Sequence, residues 1–171
     1  MESIKSRICG IIAQSGNGVI GKANRLPWSI KEDLHNFRKL TEGGIVVMGR
    51  KTYESLPVKK LKNRVNIILT REQKESEIEG VYFCSVEGCV KKCKELEHSE
   101  KRIFIIGGEE IYGEFLDVYT TIYITKIEGE IEGDTYSPFS SAYLERYEKV
   151  EESEEKRTGN YSYRFLRYER E

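Results

Sequence analysis

Asp33 is the residue whose type and position most clearly invite chemistry. Across residues 30–41 the side chains of Ile30, Leu34, Phe37, Leu40 and Thr41 recur at helical spacing. At ~100° per residue they share one face, and Asp33 falls inside that apolar stripe. Burying a carboxylate is costly unless it is hydrogen-bonded or paired. Pro27-Trp28, just upstream, fix the entry to the helix and set a large aromatic with one N–H donor beside it. A carboxylate on an apolar wall near an indole suits an amidine-like heterocycle, to which it offers two parallel acceptors. The plainer alternative is that Asp33 sits in a first helical turn, favoured by the macrodipole and a nearby lysine.

A second chemistry is spread over three junctions where a strand passes into a helix or turn. Gly49-Arg50-Lys51-Thr52 combines free helix-start amides with two cations, and Thr70-Arg71 adds a hydroxyl and a guanidinium. Each can be a solvated basic surface; together, directly after strands, they point to an anion site. Ile106-Gly107-Gly108-Glu109 supplies two glycines that let backbone approach a ligand closely. Neither GxGxxG nor GxxxxGK[ST] occurs, so the Rossmann fingerprint and the P-loop are unsupported.

The elements that must position these groups follow from hydrophobic pattern. Strands are predicted over residues 7–13, 45–48, 65–69, 81–84, 103–106 and 121–127, and helices over 30–41, 51–56, 86–96 and 109–116. Ser29-Ile30-Lys31-Glu32 predicts a capping box at the start of the Asp33 helix. Two tail segments, 147–151 and 161–168, separated by a charged turn region over 152–160, predict a closing antiparallel hairpin. The alternation implies an α/β fold, a single-domain mixed, mostly parallel central sheet flanked by helices, with that hairpin at its edge. Ligands in such sheets bind beyond the carboxyl ends of the strands, where the unusual residues fall.

A chain of 171 residues can bury a core without disulfides or metals, and one domain over residues 1–171 is expected. With 28 basic and 29 acidic residues, bulk phosphate neutralisation of a nucleic acid is not expected. No apolar run approaches the roughly 20 residues of a membrane span. The N-terminus runs directly into a strand-like segment with no signal-peptide core. Cys9, Cys84, Cys89 and Cys93 read as reduced thiols of a soluble, cytoplasmic protein. Cys89 and Cys93 are spaced for one helix face, but with His98 the nearest histidine they match no closed metal pattern, and no metal is expected.

In order along nearly the whole chain, these pieces resemble dihydrofolate reductases. The resemblance rests on Gly18-Val19-Ile20-Gly21, Leu26-Pro27-Trp28, Asp33-Leu34 with Phe37, the run 47–55, the run 64–71, Ile105-Ile106-Gly107-Gly108 with Ile111-Tyr112, and Glu132-Gly133-Asp134-Thr135. It implies reduction of 7,8-dihydrofolate to tetrahydrofolate by NADPH, with hydride passing from nicotinamide C4 to pterin C6, in support of one-carbon metabolism and thymidylate synthesis. Asp33, Trp28 and Thr125 are implied as the catalytic group, Asp33 binding N3 and the 2-amino group and favouring protonation of N5 through solvent. Ile11, Leu34, Phe37, Leu56, Leu61, Ile106 and Tyr112 would line the substrate, and Arg64 would grip its α-carboxylate. The cofactor set implied is Ala13, Ile20, Gly21, Gly49, Arg50, Lys51, Thr52, Leu69, Thr70, Arg71, Ile106, Gly107, Gly108, Glu109, Ile111 and Tyr112. The segment from Ser15 to Trp28 matches a lid over the nicotinamide.

Three departures stand out. Glu110 occupies a place where some bacterial members have an arginine near the 2′-phosphate, leaving Lys51 and Arg71 to supply more of that contact. Leu26 replaces a lid methionine, and the loop from Leu56 to Asn63 varies in length across the family. The resemblance leaves no room for a fused thymidylate synthase and implies a monomer inhibited by antifolates. Two other readings remain: a related pyrimidine reductase of riboflavin synthesis, and a catalytically silent folate-binding protein. Asp33 and Arg64 tell against the first, since a ribityl phosphate substrate needs neither.

Overall fold

A computed structural model describes residues 2–72, 74–96 and 101–171; His98 lies outside them. The elements in chain order are α1 (Glu2–Lys5), β1 (Ile8–Ser15), β2 (Val19–Gly21), α2 (Lys31–Thr41), β3 (Ile45–Gly49), α3 (Arg50–Ser55), β4 (Val65–Leu69), β5 (Val81–Cys84), α4 (Val86–Glu95), β6 (Ile103–Gly107), α5 (Glu109–Glu114), β7 (Thr121–Ile127), β8 (Thr135–Tyr136), α6 (Ser141–Leu144), β9 (Glu148–Glu152), β10 (Lys156–Thr158) and β11 (Tyr161–Glu169).

One nine-stranded sheet runs β10-β11-β7-β1-β6-β3-β4-β5, with β9 also paired to β11. Strands from β7 to β5 are mutually parallel, and β11 is antiparallel to β7, β9 and β10. The mixed, mostly parallel sheet is the one expected. Its β-branched strands bury both faces: Ile45 and Val47 enter one core cluster, Val46 and Met48 the other.

Two expectations are corrected and one feature is new. The N-terminus does not run straight into a strand: α1 precedes β1 because Ile4 is buried in the main core and the Arg7 amide closes on its carbonyl at 3.0 Å. The tail is more than a hairpin, since β10 lies inside the stretch read as a turn. Gly159, at φ +54, lets the chain reverse between Thr158 and Tyr161, and Lys156-Arg157, half-buried and exposed in turn, carries no apolar signal. A small second sheet, β2 with β8, was not visible because strands of three and two residues show no periodicity.

Register aligns the site. Gly49 pairs with Leu69, and Met48 with Gly107, so the ends of β3, β4 and β6 form one line. On the other side of β1, Ala13 pairs with Thr125, and Thr125 with Phe165. The four cysteines are free. Among the described residues no helix is long and apolar enough to cross a membrane.

Candidate active site

The helix carrying Asp33 does not start with a capping box. Ile30 is its N-cap, in extended conformation, and no side chain caps the free amides. Glu32 is unavailable because its carboxylate accepts from the Tyr163 hydroxyl and pairs with Lys156 Nζ at 3.1 Å. Ile30 seats the turn instead, 2% exposed and packed with Trp28, Ile127 and Tyr163.

Asp33 reaches back to the sheet. Thr125 Oγ1 donates to its Oδ1 at 2.5 Å, and Thr125 is itself buried in β7. Burial pushes the Asp33 carboxyl above the ordinary carboxylate range, and the Thr125 bond pulls it partly back. Among the described residues only one carboxylate oxygen is engaged, while an ionised carboxylate can accept about four hydrogen bonds. Trp28 belongs to the cluster against which Ala13, the strand neighbour of Thr125, packs, and its buried indole N–H has no partner among the described residues. Asp33 and Trp28 thus offer an acceptor and a donor with capacity to spare.

Five residues expected at that wall come together. Ile11, Phe37, Leu56, Leu61 and Ile106 share one apolar cluster under α2. Leu34 differs from the rest of its stripe: it is 57% exposed, an apolar side chain only partly covered by protein. Tyr112 belongs to the opposite cluster but sends its hydroxyl to the Ile11 carbonyl at 2.7 Å. Arg64 is half-buried, held by Thr41 Oγ1 at 3.0 Å and the Lys62 carbonyl at 2.9 Å.

The strand ends form a second region. Gly49 and Gly108 begin α3 and α5 without side-chain caps. A Cβ on Gly49 would lie 3.0 Å from Ile111 Cγ1 and 3.7 Å from the Gly108 amide, so the two junctions meet at the backbone. Gly107, at φ +131, joins Gly108 through a cis peptide, and Thr52 Oγ1 would stand 3.4 Å from a Cβ on either. Arg50, Lys51 and Arg71 are exposed along this edge, with Thr70 half-buried and Glu109 exposed. Arg50 is engaged by Glu54 at 2.9 and 3.1 Å, whereas no ion pair among the described residues involves Lys51 or Arg71.

The dihydrofolate reductase family model matches residues 7–170. The chain belongs to the dihydrofolate reductase family. A dihydrofolate reductase of Bacillus subtilis is 35% identical over 160 residues, which cover 94% of this chain and 92% of that protein. One of Staphylococcus haemolyticus is 35% identical over 164 residues, 96% of each chain. A bifunctional dihydrofolate reductase-thymidylate synthase of Paramecium tetraurelia is 36% identical over 158 residues, 91% of this chain and only 33% of that longer protein. Like its family, the chain is an NADPH-dependent oxidoreductase that reduces dihydrofolate.

For a dihydrofolate reductase, the glycine edge fits the cofactor. Backbone without side chains at Gly49, Gly107 and Gly108 can be approached closely, and Lys51 and Arg71 offer charge for phosphate. Two expected contacts have a packing role in view. Gly21 faces Thr135, whose Oγ1 would be 2.5 Å from an added Cβ, and Ile20 packs against the main core.

The sequence reading placed several of the following residues in its motifs but missed the contacts they make. Asp134 Oδ2 accepts from the Ala23 amide at 2.9 Å, Lys22 pairs with Glu132 at 3.2 Å, and Asn17 makes two 3.0 Å bonds to the Ile131 backbone. These tie the segment from Ser15 to Trp28 to residues 131–134. The tip of that segment, Lys22 to Arg25, turns on Ala23 and Asn24 at φ 49 and 61. Asn66 braces the Leu61 loop, accepting from its amide at 2.8 Å and donating to its carbonyl at 2.9 Å. A lone polar residue in the apolar run 65–69 was the available signal for it.

Proposed function

We propose that this dihydrofolate reductase grips the pterin with Asp33 and uses that carboxylate as its electrostatic partner. The observation carrying the reading is the part-buried Asp33–Thr125 pair, which among the described residues leaves one carboxylate oxygen uncommitted. That oxygen, with the spare lone pairs of its twin, accepts from N3–H and the 2-amino group as a two-point fork. Ile11, Phe37, Leu56, Leu61 and Ile106 exclude water from the ring, and exposed Leu34 gains cover when substrate lies on it. Arg64, braced by Thr41, receives the α-carboxylate. Trp28 offers its buried indole N–H, unpartnered among the described residues, to bound water or substrate.

Reduction consumes one proton per turnover, delivered to N5. Asp33, anionic when substrate is bound, raises the proton affinity of the adjacent ring and holds the water through which the proton arrives. Bound NADPH supplies the hydride. Lys51, Thr52, Thr70 and Arg71 hold its phosphates, with Arg50 a weaker contributor because Glu54 shares its charge. Gly49, Leu69, Gly107, Gly108, Glu109 and Ile111 present backbone to it. Ala13, Ile20, Gly21, Ile106 and Tyr112 surround the nicotinamide half. The protein works as a cytoplasmic monomer, one domain over residues 1–171, inhibited by antifolates that compete for Asp33.

The test is dihydrofolate-dependent oxidation of NADPH by the purified protein, with and without a methotrexate-like antifolate. Asp33→Asn is expected to lower turnover at neutral pH by roughly two orders of magnitude or more, with NADPH affinity little changed. Turnover near wild type in that variant would remove Asp33 from the role.

A further inference from the structure

We infer that Glu32 and Tyr163 are positioning residues for the pterin-binding acid: their hydrogen bond locks the first turn of α2 against β11 and so holds the Asp33 carboxylate at its place over β7. The inference rests on the reading of Asp33 just given.

Little else holds that turn. Its amides are uncapped, and Lys31, Glu32, Leu34 and His35 are all exposed, leaving Ile30 as its one buried anchor side chain. The bond from Thr125 cannot serve as the sole restraint, because it ends on the same carboxylate that must serve the substrate. Glu32 provides a second attachment that substrate does not touch.

Tyr163 is a fixed point for it. The ring is 1% exposed, packed with Trp28, Ile30 and Ile127, and set edge-on to Phe165 at 5.6 Å. In the β7–β11 ladder Tyr163 lies opposite Ile127 and Phe165 opposite Thr125. The anchors of Glu32 and Asp33 therefore lie two residues apart along paired strands, about 7 Å. Adjacent helical side chains diverge by ~100°, so attachments at both acids fix the rotation of the turn as well as its distance. A single attachment would leave it free to pivot.

Charge keeps this bond in one form across the working pH range. The Tyr163 bond, then Lys156, holds the Glu32 carboxyl below the usual range, with His35 also facing it. Burial, then Glu32 and Asp33, pushes the Tyr163 phenol up to about 12. Lys156, from β10, completes the cluster with its 3.1 Å ion pair to Glu32.

The experiment compares Tyr163→Phe, which keeps the ring, with Glu32→Ala and Glu32→Gln at a surface position. Tyr163→Phe and Glu32→Ala are each expected to lower kcat/KM for dihydrofolate roughly tenfold, because small misplacements of a reacting group cost that much. The double variant should be no worse than either single one, as for two ends of one contact. Glu32→Gln, which keeps an acceptor, should recover to within about threefold of wild type. In Tyr163→Phe the alkaline bend of the kcat/KM profile should move to lower pH as Asp33 gains water, while NADPH affinity stays within about twofold. Wild-type kcat/KM in Tyr163→Phe and Glu32→Ala, beside an inactive Asp33→Asn, would overturn this inference and leave the Asp33 reading standing. So would a Gln variant as impaired as Ala, or NADPH affinity falling in step with turnover. An active Asp33→Asn would instead remove the reading on which both depend.

Discussion

At the Asp33 end of the site a half-buried carboxylate accepts from the buried Thr125, whereas at the Gly49–Gly108 end Lys51 and Arg71 stand in solvent beside bare backbone. On the reading proposed above, the first region selects its ligand by shape and by an acceptor that is costly to bury. The second, on the same reading, selects by charge and close approach, with groups that cost the fold little. A flat heterocycle needs its hydrogen-bonding edge placed accurately in a dry pocket. Phosphates carry enough charge to be held by mobile side chains at the rim. Damage to the buried end should therefore appear in turnover and its pH dependence, and damage to the exposed end in cofactor affinity and cofactor choice.

The comparison can be broken at either end. Arg71→Ala should weaken NADPH by about 10- to 100-fold, as expected for loss of a charge-assisted phosphate contact, and leave NADH almost unaffected. Equal weakening of both cofactors, measured by binding titration, would take Arg71 out of the 2′-phosphate site. Thr125→Val keeps the shape and removes the donor to Asp33, and should lower kcat/KM about tenfold. Because that bond favours the charged form of Asp33, losing it raises the carboxyl further, and the alkaline bend should move to higher pH. That direction is opposite to the one expected for Tyr163→Phe. A shift of the same sign in both variants would mean that Thr125 and Tyr163 do not act on Asp33 by separate routes.

How much of this was legible depended on where each residue's partners lie. Runs such as 45–48 and 103–106 announce themselves because both faces of those strands are buried, leaving no polar alternation. Asp33 was visible as an acid on the wrong face of a helix, and Gly107-Gly108 as a glycine pair after a strand. The capping box failed because Glu32 finds its partner 131 residues away in sequence, and no local pattern contains that contact. Leu34 fitted the apolar stripe but lies exposed, since periodicity gives the face of a helix and not what covers it. Thr125 carried no signal beyond the family resemblance: a threonine in a strand is ordinary until the helix opposite it places an acid against its hydroxyl.

The smallest expected effect bears on why the two ends differ. The Asp33 carboxyl is raised in the folded protein, so between the ordinary carboxylate range and that raised value the folded state holds a proton that the unfolded chain has lost. Stability attributable to Asp33 therefore falls as pH rises through that window, and above it the full penalty of a buried charge is in place. Asparagine cannot ionise, yet its Oδ1 still accepts from Thr125. Asp33→Asn should accordingly stabilise the ligand-free protein at pH ~8 by ~0.5–2 kcal/mol, a rise of a few degrees in Tm, while nearly abolishing turnover. The gain should vanish below about pH 3.5, where aspartate is protonated in both states. Arg71→Ala, at the exposed end, should leave Tm unchanged at either pH. If Asp33→Asn were no more stable at pH ~8, the carboxylate would not be costing the fold anything, and the contrast between a buried, expensive end and an exposed, inexpensive one would fail.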